Sequence, residues 1–196
     1  MKVYIIGAGT LGRLILEIIE SHENDEVGGF YDDGYPELKQ VLGYEVIGKI
    51  ADTNILVGEN LAIGIGEPKY RKQIFEEKSN QGFIFPPLIH SSAVISKYGT
   101  IEDGVIIGAN SSVLNGSRVK KGSCILSHVN INQDVLIESF CLIGAGVTIG
   151  NNARLGEGCH IGMANHVMLK QIIEPWTYYN KCDNCYWLND PYANPI

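Results

Sequence analysis

From Ile89 to Ile173 every sixth residue is isoleucine, valine or leucine, without a break over fifteen positions. Two residues before each of the last fourteen, the residue is Ala, Gly, Ser, Val or Cys in twelve cases; Asn165 and Gln171 are the exceptions. Neither the helical period nor simple strand alternation produces such a series. Large aliphatic and small residues at a fixed offset describe short strands wound into a parallel β-helix, the hexapeptide repeat. Three hexapeptides make one triangular coil, so the run supplies five coils. At strand spacing the prism stands roughly 20–25 Å tall. Such coils bury their apolar stripe only by stacking, so the open end needs a cap. The segment after Ile173 is the candidate for it.

The same register assigns several residues that invite a chemical reading. Cys141 and Cys159 lie eighteen apart at the small inward position, a rung-to-rung ladder rather than a metal pair. His160 and His166 precede inward aliphatics and point outward, whereas His128 falls in the turn between two faces and Gln133 and Asp134 fall in the next turn. His90 opens the first coil and reads as structural; His22 ends a helix among charged residues and reads as solvated. The C-terminal stretch EPWTYYNKCDNCYWLNDPYANPI holds one Cys182-x-x-Cys185, a weak zinc or redox pattern without a second pair. An aromatic flap over the last coil is the simpler reading, with Trp176 and Tyr178 as an alternative lining of a cofactor groove.

Ahead of the repeat, VYIIGAGTLGRLILEII reads as a buried strand (Val3–Ile6), a tight turn and a helix with apolar residues Leu11, Leu14, Ile15, Ile18 and Ile19. The turn Gly7-Ala8-Gly9-Thr10-Leu11-Gly12 is GxGxxG in the setting that gives the motif meaning, after a strand and opening a helix. Gly7 and Gly9 let backbone approach a phosphate; Gly12 permits close helix–strand packing. A second strand, Val27–Tyr31, ends in Asp32-Asp33, placed to meet ribose hydroxyls or a base. LAIGI (61–65) and GFIFPPLI (82–89) read as further strands around the helix PKYRKQIFEEKSNQ. The expected organisation is a short Rossmann-like nucleotide-binding domain (1–87), hexapeptide coils (88–174) and a tail or cap (175–196).

The net charge of −7 and the lack of a basic run argue against a nucleic-acid or anionic-membrane surface. No window approaches eighteen apolar residues and no signal-peptide pattern opens the chain, so a cytoplasmic setting is expected. Five cysteines fit reduced thiols better than a secreted framework.

The order and spacing of GAGTLG (7–12), FYDD (30–33), GYEVIG (43–48), AIG (62–64) with Arg71, and LIHSSAVIS (88–96) resemble the family of sialic acid O-acetyltransferases and UDP-4-amino-sugar N-acetyltransferases. The resemblance covers residues 1–174. It implies an α/β domain followed by a left-handed parallel β-helix, a homotrimer, and active sites between neighbouring prisms. It implies nucleotide-sugar binding at Gly7, Gly9, Thr10, Leu11, Gly12, Asp32, Asp33, Gly64 and Arg71. Acetyl-CoA, the cosubstrate, is expected along Gly144, Ala145, Gly146 and Gly162, whose backbone N–H groups near Gly144–Gly146 would hold an oxyanion. No metal is expected.

Aligned on Lys121-Gly122 and the Ile131/Ile137 register, the family's catalytic histidine falls on Gln133 and the acid after it on Asp134. A glutamine amide takes up no proton near neutral pH, and losing a general base typically costs about 10²–10⁴-fold. An amine with a pKa near ~8 is already partly free base, so amine acetylation tolerates the change better than hydroxyl acetylation. His128 is an alternative base acting across the trimer, with a solvated turn residue as the rival reading. The leading expectation is acetyl transfer to an amino group of a nucleotide-linked sugar. Sialic-acid-type O-acetylation and a catalytically silent nucleotide-sugar-binding trimer are the alternatives. An NAD oxidoreductase leaves the repeat without a role.

Overall fold

The computed structural model describes residues 1–180, without the side chains of 54–56. Cys182-x-x-Cys185 and the tail from 181 onward lie outside the described residues. The N-terminal domain is a five-stranded sheet, order β3-β4-β2-β1-β5, made of β1 (Lys2–Ile6), β2 (Glu26–Tyr31), β3 (Gln40–Val41), β4 (Tyr44–Gly48) and β5 (Asn60–Ile63). All pairings are parallel except β3 with β4. Helix α1 (Thr10–Glu20) follows β1, and α2 (Pro68–Asn80) follows β5. β2 and β5 flank β1 on opposite sides, so the turns after β1 and β5 meet at the topological switch point, where open α/β sheets bind ligands.

Two sequence expectations change here. GFIFPPLI forms no sheet strand; Ile84 makes a lone bridge to Asn60, and Leu88–Ile89 already belongs to the coils. Pro86-Pro87 explains the break, since proline offers no N–H to a ladder. β3, β4 and the 3-10 helix Ile50–Leu56 carry no apolar period and were not legible in the sequence.

The coils form three parallel sheets of two-residue strands. The first face runs from Leu88–Ile89 up to Tyr178–Tyr179, the second from Val94–Ile95 to His166–Val167, the third from Thr100–Ile101 to Ile172–Ile173. Partners lie eighteen residues apart, as in Ser112↔Asn130 and Val113↔Ile131. The aliphatics of the register line one core with Cys141 and Cys159. The stack continues to Tyr179, past the expected boundary at 174.

Polar residues inside the prism have a stacking role. At the three corners of one coil, Ser111, Ser117 and Ser123 each donate to a carbonyl of the next coil and accept one of its N–H groups. One and two coils above Ser123, the thiols of Cys141 and Cys159 donate to Gly156 O at 3.2 Å and Glu174 O at 3.0 Å. The bond to Cys159, together with burial, holds the Cys141 thiol well above its usual range. Asn165 and Gln171, the register's exceptions, sit at the open end. Asn165 Nδ2 donates to Gly162 O, Met163 O and Asn180 Oδ1, and Gln171 accepts from Met168 N and reaches Tyr179.

α1 closes the first face: Leu11, Ile15, Ile18 and Ile19 share a core with Leu88, Ile106 and Cys124. His22, read as solvated, instead bonds Ile89 O through Nε2 at 2.7 Å and ties the end of α1 to the first coil. His90 is structural, its Nδ1 engaging Ser92.

α2 docks on the corner between the third and first faces. Pro68 starts it and the Glu67 carboxylate caps the N–H groups of Lys69 and Tyr70. Its buried stripe is Arg71, Ile74, Phe75 and Lys78, so two cations occupy core-facing positions. Phe75 meets Phe140 edge-on, centroids 5.5 Å apart, and a Cβ at Gly122 would lie 2.5 Å from the Phe140 ring. Arg71, 1% exposed, donates to five backbone carbonyls: Ile65 and Gly66 of its own domain, and Gly122, Phe140 and Cys141 of the coils.

Arg71→Met would strand those acceptors, and hydrogen bonds to a charged group contribute about 1.5–3 kcal/mol. We expect a destabilisation on the order of 3 kcal/mol or more in urea unfolding; an unchanged midpoint would disprove the clamp. Cys124, Cys141 and Cys159 are all buried. Peptide mapping after thiol labelling should find them modified only once the protein is unfolded.

Candidate active site

The glycine turn divides into an architectural part and an open part. Gly7 has φ +92° and donates to Tyr31 O, and a Cβ on Gly12 would overlap the Gly7 carbonyl. A Cβ on Gly64 would fall 2.6 Å from Gly12 Cα. These three glycines exist so that two turns and a helix can touch backbone to backbone. Leu11 points into the core. Gly9 and Thr10 are exposed, and nothing lies within 4 Å of a Cβ placed on Gly9. Gly9 caps α1 without a side-chain bond, and the first turn holds no acid. The first N–H groups of the helix therefore face outward without an intrahelical partner, the arrangement that receives phosphate.

The aspartates differ from one another. Asp32 accepts from Ala8 N and Gly34 N, both at 2.8 Å, and so braces the glycine turn against the end of β2. Asp33 is exposed; it accepts from Ile50 N at 3.2 Å and borders a cleft of about 210 Å3 with Tyr70, Gln73 and Glu77. Tyr70 and Gln73 carry no motif, and only folding α2 beside the 3-10 helix places them there. Arg71, expected at the nucleotide, is spent on the interdomain clamp and presents no donor to a ligand.

On the prism, the expected residues fall on two different corners. His128 shares the corner between the first and second faces with Gly144, Ala145, Gly146 and Gly162. These turns stack through His128 N→Ala109 O, Gly146 N→Ser127 O and Ala164 N→Ala145 O. Gln133 and Asp134 occupy the next corner, between the second and third faces, where Asp134 N→Asn115 O and Asn152 N→Gln133 O connect the coils. One chain therefore does not assemble His128 with Gln133 and Asp134. His128 and Asp134 have φ of 60° and 57°, the left-handed turn position that Asn110 and Asn152 fill elsewhere. Histidine, aspartate and asparagine are the side chains most tolerant of it.

The oxyanion expectation is narrowed. Gly144 N and Gly146 N donate to Ile161 O and Ser127 O, so they are already used. The Ala145 N–H has no protein partner among the described residues. Gly144 is required by stacking, since a Cβ there would lie 2.6 Å from Met163 N. The Gln133 amide is half-buried and Asp134 exposed. Asp134 opens on a cleft of about 280 Å3 lined also by Gly116, Arg118, Val135, Leu136 and Arg154. The two arginines escaped the sequence reading, although their spacing of twice eighteen residues marks them as members of one ladder.

No group of three His, Cys, Asp or Glu side chains among the described residues is arranged to hold a metal. Among the described residues no helix is long and apolar enough to cross a membrane.

A nucleotide-type α/β domain clamped onto hexapeptide coils defines the class. Residues 2–78 match the PglD N-terminal domain, and residues 83–176 match the GMPPB C-terminal domain. Together the two matches span most of the chain and support a place among the hexapeptide-repeat sugar acyltransferases. Among solved structures it is similar to GDP-perosamine N-acetyltransferase of Caulobacter crescentus, a histidine-to-alanine mutant in complex with CoA and GDP-perosamine. The TM-score is 0.83, at 21% identity over 89% of this chain and 83% of that one. The acetyltransferase domain of PglB from Neisseria gonorrhoeae, in complex with acetyl coenzyme A, gives 0.69, at 24% identity over 89% and 93%. WeeI from Acinetobacter baumannii gives 0.68, at 15% identity over 88% and 94%.

The two kinds of glycine separate experimentally. Gly12→Ala should destabilise the protein by about 1–3 kcal/mol, the range for forced overpacking. Gly9→Ala should leave the melting curve in place, because its Cβ enters open space. Equal melting shifts would contradict the division.

Proposed function

We propose that this protein transfers the acetyl group of acetyl-CoA to an amino group of a nucleotide-linked sugar, working as a homotrimer. The observation that carries this reading is the two-domain match to an N-acetyltransferase bound to CoA and GDP-perosamine, spanning 89% of this chain. The exposed N–H groups opening α1 suit the sugar's diphosphate, and the Asp33 cleft suits its nucleoside. Acetyl-CoA lies along the corner of Ala145, Gly146 and Gly162. In the homotrimer a second copy would bring its His128 corner to the Gln133–Asp134 corner of the first, two corners that a single chain keeps apart.

In this scheme the free amine attacks the thioester carbonyl. The oxyanion of the tetrahedral adduct is held by the Ala145 N–H, and collapse expels the CoA thiolate. The nitrogen's surplus proton passes to Asp134 or to the departing sulfur. Gln133 orients the amine by hydrogen bonding and takes no proton, so the amine must arrive uncharged. With an amine pKa near ~8, kcat/KM should climb about tenfold per pH unit below that value and flatten above it.

Acetyl-CoA is titrated by calorimetry, and amino-sugar nucleotides carrying uridine or guanosine diphosphate are then screened by thiol release. Saturable acetyl-CoA binding with acceptor-dependent release is expected. Binding of UDP or GDP without acetyl-CoA would sink the transferase and leave a binding subunit. Gln133→His should raise turnover by about 10²-fold and extend activity to lower pH, since it restores a base at the reaction corner. An active enzyme indifferent to that change would place the chemistry elsewhere.

A further inference from the structure

The outward positions of the third face form one ladder, Thr100, Arg118, Leu136, Arg154 and Ile172. Its only charged members flank Leu136 from above and below, about 9–10 Å apart at two strand spacings. Both arginines are exposed, and neither guanidinium has an ion-pair or hydrogen-bond partner among the described residues. Glu138, two residues beyond Leu136, is engaged by Lys120 at 2.9 Å and does not neutralise them. Among the described residues these two stacked cations have no direct ion pair, on a chain of net charge −7, and Asp134 is the one acid lining their cleft. They line the same cleft of about 280 Å3 as Asp134, over Gly116, where a Cβ would overlap the Asp134 carboxylate.

We propose that Arg118 and Arg154 form a carboxylate subsite beside Asp134, so that the sugar accepted at this corner bears an acid group on its own ring. The location of the reacting sugar rests on the acetyltransferase reading; the choice of anion follows from what else the reactants carry. The sugar nucleotide's diphosphate has its place at the glycine turn. The phosphates of CoA are kept from the thioester by the length of the pantetheine arm. A ring carboxylate is the anion that stays beside the reacting carbon atoms. Each guanidinium offers a planar fork that fits a carboxylate bidentately, and half-buried Leu136 between them provides an apolar patch for ring carbons. The rival occupant is a carboxylate of a second copy of this chain.

The test is binding of unreactive pairs: UDP-glucuronate against UDP-glucose, and GDP-mannuronate against GDP-mannose, by calorimetry with the full-length protein. In at least one pair the uronate should bind roughly tenfold or more tighter. Arg118→Gln and Arg154→Gln should each bring that ratio toward one. Equal affinities within both pairs, or no binding of any of the four, would overturn the subsite. So would a ratio unmoved in both variants. Loss of the oligomer in either variant, followed by sedimentation, would assign the arginines to the neighbouring chain instead. No acetyl transfer is read here, so an inactive enzyme that still prefers uronates would refute the transferase and leave the subsite standing.

Discussion

Five backbone carbonyls converge on the guanidinium of Arg71, two from its own domain and three from the coils. Burying a cation is expensive unless every donor is satisfied, and here the satisfying oxygens come from segments that must first be folded and docked. The clamp therefore couples the switch-point turn after β5 to the corner at Gly122 and Phe140. It sets how the glycine turn lies relative to the prism. Phe75 against Phe140 and α1 against the first face exclude water from the junction, which keeps the Arg71 bonds strong.

The prism solves a different problem with equal economy of parts. A coil has no sheet partner except its neighbours, so every strand and turn must hand hydrogen bonds upward and downward. Serine, cysteine and asparagine at the small inward position do this at successive levels. Their presence in the core therefore reflects stacking rather than catalysis. The same logic tempers the candidate site: Gly144 is demanded by close coil approach, and the turn geometry at His128 and Asp134 suits those residue types without reference to chemistry. What distinguishes the Asp134 corner is the adjacent cleft and its two arginines, which pair with none of the described residues.

The fold is shared with acetyltransferases of solved structure; in the function proposed for this chain, the first domain would hold the nucleotide and the coils the acyl donor. If Gln133 stands at the base position, as the resemblance implies, it is compatible with an amine acceptor, because an amine supplies its own free-base fraction. The carboxylate subsite adds a constraint on the sugar that neither the glycine turn nor the coil pattern expresses.

The sequence by itself determined the coils, since a six-residue register survives any packing partner, and it determined α1 through strong local periodicity, the glycine turn through its GxGxxG setting and α2 as the helix between two apolar runs. It reached the strand ends but not β3, β4 or the 3-10 helix, whose residues pair or pack only with distant ones. Pro86-Pro87 turned an apparent strand into a connector for reasons visible in the sequence. The role of Arg71 was not visible: the resemblance implied a nucleotide ligand, whereas the coil carbonyls that surround it lie 51, 69 and 70 residues further along the chain. His22 is exposed as expected, but its bond to Ile89 O was not visible either. Only tertiary structure placed Tyr70 and Gln73 in the Asp33 cleft and opened a cleft beside Arg118 and Arg154, whose common ladder the eighteen-residue spacing already implied. The six-residue register had already put His128 and Asp134 in successive turns, and the coils keep them on different corners. Sequence carries periodic and local preferences; convergence of side chains from separate elements is a property of the packed molecule.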